Sequence, residues 1–252
     1  MTNAISGLGL APDAAMITFP IDMFLPGSDI SGIEARKNEF YDALTGWQSS
    51  RTKAAAVPML KVQGETYEDA LQKANHLAIT NLWGDGLPLW PATRERVNRI
   101  LRGTPLPRAH VIGKFPPRGG ITTVETCAIS LAMAGGRPEY LPVLVAAVEA
   151  FLHPETNAEQ LQAASGSAFP VVVVNGPIAK QIRLNSGFGC LGPDPQRPAG
   201  ASIGRALRLI QQNVGGALPG IGAMANYGSM RYTNIVFAEE DRKSTRLNSS
   251  HT

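Results

Sequence analysis

The sequence predicts a fold of the α+β or irregular α/β class, with a mixed sheet, several packed helices and glycine-rich loops. Apolar residues recur at helical spacing in residues 66–82 and 201–213, as expected for amphipathic helices. The β-branched run from Phe169 to Val174 has the length and composition of a strand. Because such segments do not alternate with the regular period of βαβ units, a regular doubly wound sheet is not predicted.

Residues 1–56 are predicted to form an N-terminal arm and linker, because prolines and glycines interrupt them around one helical stretch at about 32–44. A single globular domain is predicted over residues 57–240, starting with a strand at 57–62.

Two helices are predicted next in the chain. Residues 66–82 should form the first, since Thr66 is followed three positions later by an acidic residue, as in a capping box. A turn rich in glycine and proline over 83–91 should end it. A second, short helix is expected to begin near Thr93.

The middle of the chain predicts a strand at 110–114 and then the loop Pro116-Pro117-Arg118-Gly119-Gly120, opening a helix at about Thr122. That helix should end at Gly135-Gly136. Residues 138–151 are apolar on nearly all sides, which predicts a buried helix.

The run from Phe169 to Val174 is expected to be a central strand buried on both faces, because it is uniformly β-branched and is bounded by Asn175-Gly176-Pro177. A helix should follow at 201–213, and a strand-like run at 231–237. The last twelve residues, 241–252, resemble a translated sequencing adapter, so the natural chain is expected to break off near Glu240.

Composition narrows the class of protein. With 252 residues, of which 44% are hydrophobic and 17% charged, the chain can bury a substantial core. The net charge of +3 falls to +1 when the three basic and one acidic residues of 241–252 are set aside. This balance argues against a nucleic-acid partner. No segment has the pattern of a signal peptide or a membrane span, so a cytoplasmic protein without a membrane partner is expected.

The two cysteines, Cys127 and Cys190, have no spacing typical of a disulfide framework or a zinc site. Neither a metal nor any other cofactor is predicted. Cys190 lies between glycines near a helix start, where a thiolate nucleophile is one interpretation and a small buried side chain the other. Cys127 lies in an apolar helix and is predicted to belong to the core.

The loop from Pro116 to Gly120 is the first candidate ligand site. A helix N-terminus exposes unpaired N–H groups to an anion, and Gly119 and Gly120 would let a ligand approach the backbone. Arg118 could clamp a carboxylate or phosphate with two hydrogen bonds. The alternative is a tight connection with a surface arginine.

The second candidate ligand site is the glycine-rich segment after residue 184. Asn185 and Ser186 could bind polar groups of a ligand, while Arg197 and Arg205 could neutralise an acid group. Ser202 lies at the predicted helix start beside them. The alternative is a glycine-rich turn with no ligand.

Three further polar residues are candidates for catalysis or binding. Asp85 could act as an acid, a base or a metal ligand, although Asp between glycines is also common in turns. Glu125 could be an acid or base near Arg118, or could interact with the helix dipole. Asn175 ends the Val-rich strand, where open sheets place ligands.

Five segments together resemble an uncharacterised bacterial family that is associated with UGSC-motif (seleno)proteins. The resemblance covers roughly residues 57–240 and implies thiol or selenol chemistry, although the chain contains no Cys-Gly-Ser-Cys. These segments are Asn81–Pro88, Ile112–Gly120, Gly136–Pro142, Val174–Pro177 and Ala201–Leu207.

The sequence therefore predicts an enzyme or enzyme subunit that binds a small anionic metabolite bearing a carboxylate or phosphate, with its reaction open. Arg118 and Arg205 would hold the acid group, and Cys190, Glu125 or Asp85 would move protons or attack. The alternative is a non-catalytic subunit or binding module of a redox-active partner protein. A homo-oligomer is a further expected assembly.

Overall fold

The computed structural model describes residues 27, 29–46, 59–166, 168–224 and 234–239. The chain divides into two compact units, Met1–Leu60 and Lys61–Thr252. The first contains two short helices, α1 (Ser31–Ala35) and α2 (Lys37–Thr45), where the sequence predicted a helical stretch. Residues 1–26, 28 and 47–56 of the predicted arm and the adapter-like residues 241–252 lie outside the described residues.

The second unit combines helices with two pairs of short strands, so the α+β class predicted from the sequence is confirmed. In chain order its elements are α3 (Tyr67–Thr80), α4 (Arg94–Leu101), β1 (Val111–Phe115), β2 (Gly120–Thr123), α5 (Val124–Met133), α6 (Leu141–Leu152), α7 (Ala158–Ala163), β3 (Val171–Val174), α8 (Pro177–Gln181), α9 (Ala199–Asn213) and β4 (Ile235–Ala238). Short 3-10 turns at Pro138–Tyr140 and Pro154–Thr156 flank α6. No helix within the described ranges is long and apolar enough to cross a membrane.

Threonine side chains fix the start of three helices. The hydroxyl of Thr66 accepts a hydrogen bond from the backbone of Asp69, and Thr93 does the same at the start of α4. Thr123 caps α5. Its hydroxyl accepts from the N–H of Thr126 and the hydroxyl of Thr126 accepts from the N–H of Thr123, so both hydrogen bonds of a capping box are present. The predicted starts of α3 and α4 are confirmed, because these signals are local.

The core lies where α5, α6 and α9 pack together. Leu131, Leu144 and Leu207, one from each helix, are fully buried. Phe115 of β1 stacks on Phe151 of α6 with ring centroids 5.0 Å apart, which joins the first strand pair to the helices. Helix α6 is therefore the buried helix that its apolar sequence predicted.

The strands form two pairs with different directions. β1 and β2 are antiparallel neighbours in the chain, whereas β3 and β4 are parallel and pair from Val171–Ile235 to Val174–Ala238. Val171 and Val173 are about half exposed. The predicted burial of this strand on both faces is wrong, because the described residues cover only one face of the pair. A β-branched run is equally compatible with a half-buried strand.

Helix α9 and strand β4 approach each other at two glycines. A Cβ atom on Gly204 would lie 2.0 Å from the carbonyl oxygen of Asn234, and one on Gly200 would lie 2.5 Å from that of Val236. The two glycines, one helical turn apart, therefore let the strand backbone lie directly on the helix.

One predicted strand is not present in the described residues. Residues 59–62 have no strand geometry, so the strand expected at 57–62 is wrong over this part, and residues 57–58 lie outside the described ranges. The apolar run pairs with no other described strand, and a strand needs a partner for its backbone hydrogen bonds.

Candidate functional site

The loop from Pro116 to Gly120 connects two strands instead of opening a helix. It is the turn of the β1–β2 hairpin, where Phe115 pairs with Gly120. Helix α5 begins only at Val124, at the far end of β2. The predicted helix N-terminus at this loop is therefore wrong, and with it the reason to expect an anion on free helical N–H groups there.

The glycines of this turn allow close packing against the end of α9. Gly119 has a φ of +71°, the left-handed conformation that favours glycine. A Cβ atom on Gly120 would lie 2.1 Å from the carbonyl oxygen of Val214. The Arg118 side chain lies across Gly216, with its Cδ 2.2 Å from where a Cβ atom would be. No described residue accepts a hydrogen bond from the Arg118 guanidinium.

Asp85 and Arg205 form a two-pronged ion pair. Nε and Nη2 of Arg205 donate to Oδ2 and Oδ1 of Asp85 at 2.8 and 2.9 Å. The Asp85 side chain is only 1% exposed and that of Arg205 16%. Burial favours the neutral carboxyl, but the hydrogen bond and charge of Arg205, together with the N–H of Leu87, outweigh it and hold the pKa of Asp85 below its ordinary value.

The same face of α9 holds the loop that contains Asp85. Arg205 also donates to the carbonyl oxygens of Leu87 and Pro88, at 3.2 and 2.9 Å. About two turns further on, Gln212 and Asn213 donate to the three carbonyl oxygens of Leu82, Gly84 and Trp83. Asp85 and Arg205, predicted as separate site residues, thus belong to one clamp that fixes residues 82–88 on α9.

Glu125 lies away from Arg118, at the other end of the hairpin. Its carboxylate is 3.3 Å from the Arg108 guanidinium, and its N–H donates to the Arg108 carbonyl oxygen. Both side chains are about half exposed. The geometry places Glu125 in a surface ion pair in the first turn of α5, where its charge also suits the helix dipole.

Asn175 and Asn185 each bond a residue at the carboxyl ends of β3 and β4, which we call the carboxyl edge. The Asn175 amide donates to the Glu239 carboxylate at 2.7 Å. The carbonyl oxygen of Asn185 accepts from the N–H of Ala238 at 2.9 Å. Two residues predicted from different motifs therefore bond successive residues at the end of β4, where parallel sheets place ligands.

Asn185 organises the glycine-rich loop at this edge. Its side chain is buried and donates to the Phe188 carbonyl oxygen and the Asp194 carboxylate. Its Oδ1 accepts from the N–H of Gly187 at 2.9 Å and from Arg197 at 2.8 Å. A cavity of about 430 Å³ lies between residues 187–189 and 193–197 of this loop.

Ser186, Cys190 and Ser202, the other candidates predicted for this segment, do not line that cavity. Ser186 is exposed, Cys190 is half-buried and Ser202 lies in the first turn of α9. Cys127, by contrast, is fully buried in α5, and burial, together with the charge of Glu149, raises the pKa of its thiol to about 12. Of the two cysteines, Cys190 is thus the one whose environment permits reaction.

A third arrangement was not predicted from the sequence. Arg96 and Arg99 on α4, Arg137 after α5, and Trp90 line a cavity of about 340 Å³, which we call the arginine pocket. The C-terminal end of α5 closes it with Gly135 and Gly136. Gly135 has a φ of +72°, and a Cβ atom there would lie 3.1 Å from the Trp90 ring, so glycine leaves room for the indole.

The three guanidinium groups of this pocket are held to different extents. Arg96 lies 4.6 Å over the Trp90 ring and donates to the Pro91 carbonyl oxygen and the Tyr67 hydroxyl, which fixes its position. Arg137 is 4.0 Å from Glu139 at the exposed rim. Arg99 has no hydrogen bond or ion pair through its side chain with any described residue.

The sequence contains a partial signal for this pocket. Arg96 and Arg99 are three positions apart and therefore share one face of α4. Trp90 and Arg137 join them only through the packing of α4 on the end of α5, which spacing does not reveal.

The chain matches no protein-family model, no curated protein and no solved structure. Within the described ranges, no three His, Cys, Asp or Glu side chains are grouped so that they could hold a metal ion.

Proposed function

We propose that the protein binds a small anionic metabolite, bearing a carboxylate or phosphate, in the arginine pocket. The observation that carries this proposal is the convergence of Arg96, Arg99 and Arg137 on one cavity whose described lining contains no carboxylate. The three positive charges repel one another, which raises the electrostatic free energy of the empty pocket. An anion bound between them would remove this repulsion. The planar donors of arginine match the oxygen atoms of carboxylate and phosphate.

The preorganisation of the pocket supports the same ligand class. Arg96 is already fixed by Trp90 and two hydrogen bonds, so little side-chain freedom is lost when it binds. Arg99, whose side chain bonds no described residue, provides donors without breaking a contact within the described part of the chain.

The lining favours binding over catalysis. The described residues of the pocket include no Asp, Glu, His, Cys, Ser or Lys that could act as a base or nucleophile. We therefore assign the arginine pocket to a non-catalytic subunit or binding module, the class that the sequence offered as its alternative, there as part of a redox-active partner protein.

A second candidate function is an enzyme with its site at the carboxyl edge. It is favoured by the positions of Asn175 and Asn185 at the ends of two parallel strands. Asn185 also bonds Asp194 and Arg197, which line the neighbouring cavity. The resemblance to the UGSC-associated family adds a thiol role for Cys190 to this proposal. Asp194 offsets the charge of Arg197 there, which makes this edge a weaker anion site than the arginine pocket.

Calorimetric titration of the full chain with inorganic phosphate, pyrophosphate and citrate tests the leading proposal. At least one of these probes should bind, and Arg99→Ala should weaken it by about tenfold or more, as expected for one lost charge-assisted contact. Arg94→Ala is the matched control, because Arg94 is exposed on the same helix and does not line the pocket. The Arg118→Ala variant should also bind these probes with wild-type affinity, because Arg118 does not line the pocket.

The variants also separate the two candidate functions. Binding that survives Arg99→Ala and Arg137→Ala but is lost in Arg197→Ala would move the anion site to the carboxyl edge. Equal losses in Arg99→Ala and Arg94→Ala would show a nonspecific effect of net charge and overturn the proposal.

A further inference from the structure

A cavity of about 500 Å³ lies beside β3, between helices α6, α7 and α9. Its volume is within the range of small-molecule sites. Ala150 and Phe151 of α6, Gln162 of α7, Val173 of β3, and Leu207 and Gln211 of α9 are among the residues that form its walls. It shares no lining residue with the arginine pocket or with the cavity at the carboxyl edge.

The walls of this cavity select a neutral occupant. Its described lining is mainly aliphatic and aromatic and contains no Asp, Glu, Lys, Arg or His. A charged ligand would lose its hydration there without gaining a counter-charge, which is strongly unfavourable. The cavity therefore differs in ligand class from the arginine pocket.

One hydrogen-bond acceptor in this wall has no partner among the described residues. Gln162 is only 3% exposed, and its amide Nε2 donates to the Pro116 carbonyl oxygen at 2.9 Å. Its Oε1 is buried and makes no hydrogen bond with any described residue. Buried polar atoms are nearly always paired, so an unpaired one marks a place where a donor is missing.

One donor in the same wall also bonds no described residue. Gln211 is 1% exposed, and its Oε1 accepts a hydrogen bond from the amide of Asn234 at 2.8 Å. Its Nε2 makes no hydrogen bond with any described residue. Thr156, the other polar side chain of the lining, is satisfied by the Ala150 carbonyl oxygen.

We propose that this cavity binds a neutral, mainly hydrocarbon molecule whose single hydroxyl or amide group donates to Gln162 and accepts from Gln211. The hydrocarbon part would cover the apolar walls, and the polar group would satisfy both glutamine amides. Such sites are mostly apolar, with a small number of polar groups that fix the orientation of the ligand.

Calorimetry with three matched probes tests the ligand class. We expect 2-naphthol to bind on the order of tenfold more tightly than naphthalene, because only the hydroxyl can pair with the glutamines. We expect 2-naphthoate to bind more weakly than either, because its charge has no partner in the cavity. Absence of binding by both neutral probes, or tighter binding of the carboxylate, would overturn the proposal.

Two alanines of α6 provide a matched test of location. Both Ala146 and Ala150 are exposed, but only Ala150 lines the cavity. Ala150→Trp should therefore block 2-naphthol binding, whereas Ala146→Trp should leave it unchanged. Equal binding in the two variants would place the ligand elsewhere and refute the site.

A glutamine variant tests the polar group. In Gln162→Leu, 2-naphthol and naphthalene should bind with similar affinity, because the hydrogen-bond acceptor is lost while the cavity stays apolar. A preference for 2-naphthol that is unchanged in this variant would exclude Gln162 as its partner. Arg99→Ala should not alter binding of either neutral probe, so this inference and the anion proposal can fail independently.

Discussion

Asp85 and Arg205 lie 120 positions apart in the chain and form a two-pronged ion pair with distances of 2.8 and 2.9 Å. The pair joins the 82–88 loop to α9, and the carboxylate is nearly inaccessible to solvent. Its first role is therefore structural.

We expect Arg205→Ala to destabilise the protein by about 3–5 kcal/mol, because a buried carboxylate would lose its partner. Urea denaturation measures this loss. Arg108→Ala is the control, since its pair with Glu125 is about half exposed and should contribute only about 0–1 kcal/mol. Similar losses in the two variants would contradict a structural role for the buried pair.

The same pair gives a prediction for acid sensitivity. The pKa of Asp85 is lowered in the folded protein from its ordinary value of 3.8. The carboxylate therefore stabilises the fold fully above its unfolded pKa, and this contribution is lost as the pH falls through the folded pKa. The difference in unfolding free energy between wild type and Asp85→Asn should shrink between about pH 5 and about pH 2. A difference that stays constant over this range would show that Asp85 is not coupled to folding in this way.

The two cysteines should differ in reactivity. Cys190 is half-buried, whereas Cys127 is fully buried and the pKa of its thiol is raised to about 12. At about pH 8 a disulfide reagent should label one thiol in the native protein and both after denaturation. Cys190→Ser should remove the native reaction, and labelling that persists in this variant would mean that Cys127 is accessible.

Gly204 should not tolerate even the smallest side chain. An exposed helical Gly→Ala change usually stabilises by about 1 kcal/mol. At Gly204 the added Cβ atom would lie 2.0 Å from the Asn234 carbonyl oxygen, so we expect a net loss of about 1–3 kcal/mol. Gly32 of α1 has no atom within 4 Å of such a Cβ atom, and Gly32→Ala should be neutral or stabilising. A melting temperature that rises in Gly204→Ala would refute the close packing of α9 on β4.

The sequence predicted those features whose causes are local. Thr66 and Thr93 cap helices because their hydroxyls bond backbone groups three positions away. The exposure of Val171 and Val173 was not predicted, because a β-branched sequence does not reveal whether other elements cover one face of a strand or both.

The candidate site depended still more on contacts that are distant in sequence. Asn175 and Asn185 bond successive residues at the end of β4, which spacing alone could not show. The arginine pocket requires Arg137 to pack beside α4. Glu125 was placed near Arg118 only because a strand between the loop and α5 was not recognised.

The clamp between α9 and the 82–88 loop has a consequence for the folding of the chain. Its hydrogen bonds join residues 117 to 130 positions apart, and contacts of high sequence separation slow folding because a long loop must close before they form. During synthesis, the loop emerges well before α9 and cannot yet acquire these partners. The loop and α3 before it should therefore be the last parts of the second unit to gain protection from proteases in a refolding time course.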